Sequence, residues 1–294
     1  MHLTQAIEEF TTYLAADGRS PGTIDCYRRD LSALAAFAGD PAVVDVIPNL
    51  LHRFVVSDAV QRRPDGEPRA EVTINRGKAA LRSFGGWMVE TGLADRNPAA
   101  GLSIRRTTRQ SPSTLSDPER KRMLREVGAR TGDAAARDRV MLELLLGTGI
   151  RLAELVGLDV GDVDLDGKRI SIRAKGGRDE TRFLSADLRR VLRRYLRQRA
   201  QSPAESPALF LSNRETRISA RQVQARFRLW LQWAGIDREG LTVHSTRHTF
   251  GTRLYRRTHD LVLVGKAMGH RTVEATAIYV HQDDEALEEA LDTL

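Results

Sequence analysis

Between His244 and His281 the chain reads HSTRHTFGTRLYRRTHDLVLVGKAMGHRTVEATAIYVH. That stretch holds five of the seven histidines of the 294-residue sequence: His244, His248, His259, His270 and His281. Arg247 stands among them and Tyr279 near their end. The mixture suits phosphate chemistry better than a metal centre. A cation beside each potential ligand repels a metal, whereas arginines and imidazoles together can clamp a phosphodiester whose transition state carries extra negative charge. No metal or cofactor is expected. A tyrosine placed for attack needs a neighbouring base and a fixed phosphate. Of the five tyrosines, only Tyr279 is bracketed by the histidines. Tyr13, Tyr27 and Tyr195 fit helical core or flank positions, and Tyr255, in an Arg-rich helix, is the competitor.

Other positions carry less on their own. Arg151 follows Gly147-Thr148-Gly149 and opens a short helix, RLAELVGL. A helix N-terminus welcomes phosphate through its free N–H groups, but an arginine in a first turn is commonly just a surface residue. Glu154, three residues on, either orients that guanidinium or faces water. Lys175 sits at a Gly-flanked tip, Lys175-Gly176-Gly177. Unlike a guanidinium, an ammonium can give up its proton. In a chain with only five lysines it suggests a general acid; the plain alternative is a turn that tolerates any polar residue. His244, Arg247 and His248 form H-x-x-R-H at a helix start. HExxH is absent, so the histidine pair is not a zinc helix. His248 is expected against the core with a backbone partner, leaving His244 and Arg247 as the functional pair. Gly269-His270 follows the apolar run Leu261 to Met268, which puts His270 exposed on a turn. Thr272 is a candidate cap for a further helix whose stripe, Val273, Ala277 and Val280, leaves Tyr279 off the buried centre.

These residues must be positioned by a mainly α chain with a small antiparallel β-sheet. Apolar positions at Leu3, Ile7, Phe10 and Leu14 recur with helical period. Ser20-Pro21 marks a second helix start, continuing to about Gly39. Shorter helical pieces follow at about 48 to 58, then a long one at about 70 to 92 carrying Val72, Ile74, Ala79, Leu81, Phe84, Trp87 and Met88. Residues 1–102 form a helical domain without a catalytic constellation. Residues 103–115, SIRRTTRQSPSTL, form a basic linker with Arg105, Arg106 and Arg109. Residues 116–294 form the second domain. Ser116-Asp117-Pro118-Glu119 opens its first helix, at about 117 to 128, and another spans about 134 to 146. Asp166-Gly167 between two alternating runs signals a type I′ hairpin. In the middle strand Ile170, Ile172 and Ala174 face inward, with Arg169, Ser171 and Arg173 outward. A third strand covers Thr181 to Leu184, and helices follow at about 186 to 200 and 219 to 234.

The charge is +7 overall, with 46 basic and 39 acidic residues, but six acids and no base lie in the last thirteen residues. The body before them is therefore at +13. Such a body fits a polyanion binder; a genome that writes arginine wherever a surface cation will do explains it equally well. The single cysteine, Cys26, excludes an internal disulfide and any multi-cysteine metal site. No apolar run approaches the ~20 residues of a membrane span, and the start of the chain is unlike a signal peptide, so a cytoplasmic location is expected. The acidic tail places Leu287, Ala290, Leu291 and Leu294 on one helical face, for docking on a neighbouring protomer or on its own domain.

Taken in order, Arg151, Lys175, H-x-x-R at His244 and Arg247, Gly269-His270 and Tyr279 resemble the tyrosine recombinase, or phage integrase, family. In size the chain is closest to Xer-like members. GTGIRLAEL, HSTRHTFGTRL, AMGH and AIYVH carry the resemblance, which covers essentially the whole chain. Ala174, where glycine is frequent, and Thr246, where an apolar residue is usual, depart from the pattern. The resemblance implies a helical core-binding (SAM-like) N-terminal domain and a mixed α/β catalytic domain. It implies cleavage and rejoining of double-stranded DNA at paired half-sites through a 3′-phosphotyrosyl intermediate. Tyr279 would be the nucleophile, His244 the base, Arg151, Arg247 and His270 the phosphate holders, and Lys175 the acid toward the leaving 5′-oxygen. Assembly through the tail would give a homo-oligomer or a hetero-tetramer with a related recombinase. Chromosome or plasmid dimer resolution and mobile-element integration or excision are the roles in view. A type IB topoisomerase-like nicking and closing enzyme and a catalytically silent DNA-binding accessory protein are the alternatives.

Overall fold

The structure is a computed structural model; it describes residues 1–105, 112–173, 179–270, 272 and 275–282, with residues 179 and 280–282 as backbone only. The chain divides into two compact units, Met1–Arg109 and Gln110–Leu294.

In the first unit, α1 (Leu3–Ala16) and α2 (Pro21–Ala38) lie against α5 (Glu71–Glu90), with α3 (Pro48–Val56) and α4 (Asp58–Gln61) between them in sequence. Ser20 caps α2 by accepting a hydrogen bond from Thr23 N with Pro21 at the first helical position, and Gly39 ends it in the left-handed region. The stripe read from α1 is the buried one, and its Phe10 meets Phe84 edge-on at 5.4 Å and Trp87 at 5.7 Å. A fully buried phenyl contributes on the order of 2 kcal/mol, so this aromatic knot anchors the unit. Val72, expected on the inner stripe of α5, is instead 65% exposed. It lies in the first turn, where only Ile74 turns inward. Arg105, expected in the linker, exchanges two hydrogen bonds with Asn75 of α5.

The second unit is built around α7 (Asp133–Thr148). Val140, Met141, Leu142, Leu144, Leu145 and Leu146 are all buried, the mark of a helix enclosed on every side. Around it pack α6 (Asp117–Gly128), α9 (Ala186–Arg199) and α11 (Val243–Thr258), and α10 (Ala220–Trp233) packs on α6. A capping box between Ser116 and Glu119 starts α6, and another between Ser219 and Gln222 starts α10. Asp138 of α7 is fully buried. It accepts hydrogen bonds from Arg226 Nε (2.7 Å) and Trp230 Nε1 (2.9 Å) and pairs with Arg137 at 3.4 Å.

Between α8 (Leu152–Gly157) and α9 lies an antiparallel sheet in the order β1 (Val163–Asp164), β2 (Arg169–Arg173), β3 (Asp179–Phe183). Ile170 and Ile172 face inward while Arg169, Ser171 and Arg173 are exposed, as the alternation requires. The β1–β2 connection differs from a type I′ turn. Asp164 pairs with Arg169, leaving a four-residue loop whose positive φ belongs to Lys168, at 60°. Asp164 accepts from Gly167 N at 2.7 Å and from Arg169 Nε at 3.1 Å, and a Cβ on Gly167 would lie 2.1 Å from that carboxylate. The carboxylate thus sets the loop in place of a left-handed pair. The remaining helix is α12 (Leu261–Met268), and residues Ala277–Gln282 form a 3₁₀ turn. No helix among the described residues is long and apolar enough to cross a membrane.

Candidate active site

The face of α11 that looks into the unit is a rail of chemistry. Thr242 and Ser245 cap its start, Thr242 accepting from His244 N at 3.2 Å and Ser245 Oγ from Thr242 N at 3.1 Å. His244, Arg247, His248 and Gly251 then follow at i, i+3, i+4 and i+7, one side of a helix. Arg247 is 3% exposed. It donates to Gly149 O and to Met268 O, both at 2.5 Å, joining the end of α7 to the end of α12. Burial, then Arg151, push it down to about 10, so it stays charged at neutral pH.

Arg151 is the N-cap of α8. The chain reaches it through Gly149, whose φ is 62° and whose missing side chain leaves room for Phe250. Glu154 orients it, accepting from the Arg151 guanidinium at 2.6 Å and from the Arg151 amide at 2.8 Å. The other guanidinium nitrogen donates to Gly269 O at 3.4 Å. A third guanidinium, that of Arg182 in β3, is 4% exposed and donates to Glu180 at 2.7 Å and to Met268 O at 3.4 Å. Three arginines therefore converge on the last carbonyls of α12, the negative end of that helix. The same place would draw them toward the oxygens of a phosphate. Sequence reasoning missed Arg182. Its signal is an arginine at a core-facing register of an alternating strand.

Gly269 ends α12 with φ 63°, and a Cβ there would meet the Glu180 carboxylate at 2.2 Å. His270 follows. Its ring is half-buried rather than exposed, because it lies nearly parallel to the Tyr279 ring at 6.2 Å and its Nδ1 meets Thr276 Oγ1 at 2.9 Å. Burial, then Arg247 and Arg151, push it down to about 4, leaving it neutral at pH 7. His244 is exposed at the helix start. Protein packed on one side of its ring, then Arg247 and Arg151, hold it below the ordinary histidine value.

Tyr279 overturns its expected placement off the buried centre: it is 1% exposed. The reason is the 3₁₀ period. Thr276 and Tyr279 are three apart and both face inward, Tyr279 N bonding to Thr276 O at 3.1 Å. The ring lies over Gly251, where a Cβ would come within 2.6 Å of Tyr279 Cζ, and against Met268. Burial raises the phenol to about 12, opposed by Arg247 and Arg151. Its hydroxyl is 3.4 Å from Nδ1 of His248, which corrects the expectation of a backbone partner for that histidine. His248 in turn meets the His244 ring edge-on at 4.7 Å.

Arg151, His244, Arg247, His270 and Tyr279 are thus gathered in one place. Lys175, with Ala174 and its glycine tip, lies outside the described residues, as do Arg106, Arg109, Val273 and the acidic tail. Thr272 is exposed, and the turn after it starts only at Ala277. Tyr255, the competing tyrosine, packs against His259 at 5.8 Å near the far end of α11. Among the described residues no group of three His, Cys, Asp or Glu side chains is spaced to hold a metal ion.

Residues 114–286 match the model of the phage integrase family, and residues 7–92 match that of the phage integrase N-terminal SAM-like domain. A curated relative, tyrosine recombinase XerC of Corynebacterium efficiens, is 35% identical over 98% of this chain and 90% of its own length. Among solved structures, XerH recombinase bound to a palindromic difH substrate in a post-cleavage complex superposes with TM-score 0.76. It is 22% identical, over 91% of this chain and 78% of that one. A lambda integrase dimer bound to a COC′ core site gives 0.70 at 16% identity, over 95% and 77%. With the fold, the family matches and full-length likeness to XerC in agreement, the chain belongs to the phage integrase family and is a tyrosine recombinase.

Proposed function

We propose that this protein is a site-specific DNA recombinase whose nucleophile is Tyr279. The phenolic oxygen attacks the scissile phosphorus, forming the Tyr279 O–P bond as the bond to the 5′-oxygen breaks. His244 takes the phenol proton, and Lys175 gives a proton to the leaving 5′-oxygen. Arg151, Arg247 and His270 hold the non-bridging oxygens as charge grows on them, and one such donor is worth about 10²–10³ in rate. Reversal, with a 5′-hydroxyl from a second duplex, rejoins the strands without an external energy source. The observation that supports this most is the convergence of the Arg151 and Arg247 guanidiniums on the carbonyls that end α12, where the Tyr279 ring packs on Met268.

Duplex DNA and an oligomer are the partners, by likeness to the DNA-bound XerH and lambda integrase structures. The finer reading is a homo-oligomer or a hetero-tetramer with a related recombinase on paired half-sites. The acidic tail of one protomer docks on the next, the helical first unit clamps the duplex, and the protein works on chromosomal or plasmid DNA in the cytoplasm. Family membership favours this over a topoisomerase-like or catalytically silent protein. The test is a suicide duplex nicked beside the cleavage position. A covalent protein–DNA adduct should form and be absent in Tyr279→Phe; an adduct that survives moves the nucleophile elsewhere, with Tyr255 next to be changed.

A further inference from the structure

His248 belongs to neither the phosphate-holding set nor the core. Among the described residues it is the hydrogen-bond partner of the Tyr279 hydroxyl, Nδ1 to Oη 3.4 Å. The rings stand 5.9 Å apart and 50° inclined, so the phenol oxygen rather than the ring face meets the imidazole. Three features around it make this a defined seat. Gly251, one turn on, lets the tyrosine ring lie flat on α11. Met268 and the parallel His270 ring close its other sides. Arg247, the residue before His248, is locked by two carbonyls and cannot drift toward the hydroxyl's seat. His248 is drawn down to about 4, by burial and then by His244, Arg247 and His270, so its ring is neutral at pH 7 and can accept.

We propose that His248 is a positioning residue for the nucleophile. With its proton on Nε2, it accepts the Tyr279 O–H at Nδ1. That contact holds the phenolic oxygen in its seat before attack, and the O–H turns from His248 to His244, whose ring lies edge-on 4.7 Å away, as the proton leaves. It thus acts through Tyr279 and does not touch the phosphate. The inference rests on the recombinase reading, in which Tyr279 is the attacking group.

The experiment compares His248→Asn, His248→Gln and His248→Leu on the nicked duplex with which the wild-type protein forms its adduct. Asparagine can put an acceptor where Nδ1 stood, glutamine one bond further out, and leucine none. Single-turnover cleavage by His248→Asn should stay within about threefold of wild type. The other two should fall by about 10- to 100-fold, with DNA affinity and melting temperature close to wild type. Equal rates for all four proteins would overturn the proposal, and so would an asparagine variant as slow as leucine. Should the leucine variant not fold, the asparagine–glutamine comparison decides alone. An independent readout is the ¹⁵N spectrum of His248 in the free protein. Nδ1 should carry no proton at pH 7, and its shift should move in Tyr279→Phe; a protonated Nδ1 refutes the hydrogen bond as assigned. Absence of an adduct with the wild-type protein counts against the recombinase reading, not against His248.

Discussion

Arg247 and Arg182 donate to the same oxygen, the carbonyl of Met268, at 2.5 and 3.4 Å. Two buried guanidiniums do not normally sit together, since each opposes the charge of the other. Here the C-terminal end of α12 and the Glu180 carboxylate hold them. Replacing Arg247 by alanine would take the side-chain donor from Gly149 O, leave Met268 O with the longer bond from Arg182 alone, and remove one positive charge from the site. Single-turnover cleavage should drop by about 10²–10³. Arg247→Lys, which keeps the charge without the fork, should recover only a minor part.

The Glu180–Arg182 pair braces the turn that carries His270. Arg182→Met should slow strand cleavage in a quench assay with little loss of DNA affinity in a filter-binding assay. Gly269→Ala should do so more strongly, because alanine there meets both a φ of 63° and the Glu180 carboxylate. Comparable loss of binding and cleavage in Arg182→Met would show instead that this arginine contacts DNA.

Gly251→Ala puts a methyl where Tyr279 Cζ and Met268 Sδ lie, 2.6 and 2.7 Å away. Overpacking of this kind costs about 1–3 kcal/mol. The ring would have to lift from α11. The expected outcome is a folded protein, checked by circular dichroism, with adduct formation reduced at least tenfold.

Acidification should weaken the fold at the site. His248 and His270 sit at about 4 in the folded chain against an ordinary 6.5. The unfolded chain therefore binds more protons, and the stabilising contribution is complete above about pH 6.5 and lost as the pH falls toward 4. Partial exposure of both rings reduces the size of the effect but not its direction. The thermal midpoint should fall over that interval, and fall less in His270→Gln. Protonation of His270 also faces Arg247, Arg151, Arg182 and His244, so added salt should soften the loss.

Asp138 should matter to stability alone. Asp138→Ala strands Arg226 and Trp230 Nε1 without their shared acceptor and takes the carboxylate from Arg137, which keeps Leu211 O. Removing one side of a buried ion pair costs about 3–5 kcal/mol, on the order of 10 °C in melting temperature for a unit of this size. Calorimetry on the variant checks it.

Much of this was legible from residue types. His244, Arg247 and Tyr279 stand out because arginine and histidines bracket that tyrosine; Arg151 and His270 are weak alone and join the set through the family resemblance, and the structure gathers all five. Helix starts were legible wherever serine and proline or glutamate supply the cap, as at Ser20 and Ser116. Three things were not. A stripe laid out at 3.6 residues puts Tyr279 outward, but the segment winds at three residues per turn, and that tighter period turns it inward. Arg182 hides in a strand because inward registers are read for apolar residues. The partner of His248 depends on a segment thirty-one positions away, which no local pattern reports.

The seat of Tyr279 has a bearing on selectivity. With its hydroxyl shut between helices, a solitary molecule drifting along ordinary chromosome has no exposed blade. A scissile phosphate has to be brought to that phenol rather than meet it at the surface. The work of doing so has to come from the contacts that a correct site and correct neighbours supply. Fidelity would then begin as a mechanical threshold, set by how closely a duplex must fit before the enclosed oxygen comes within reach.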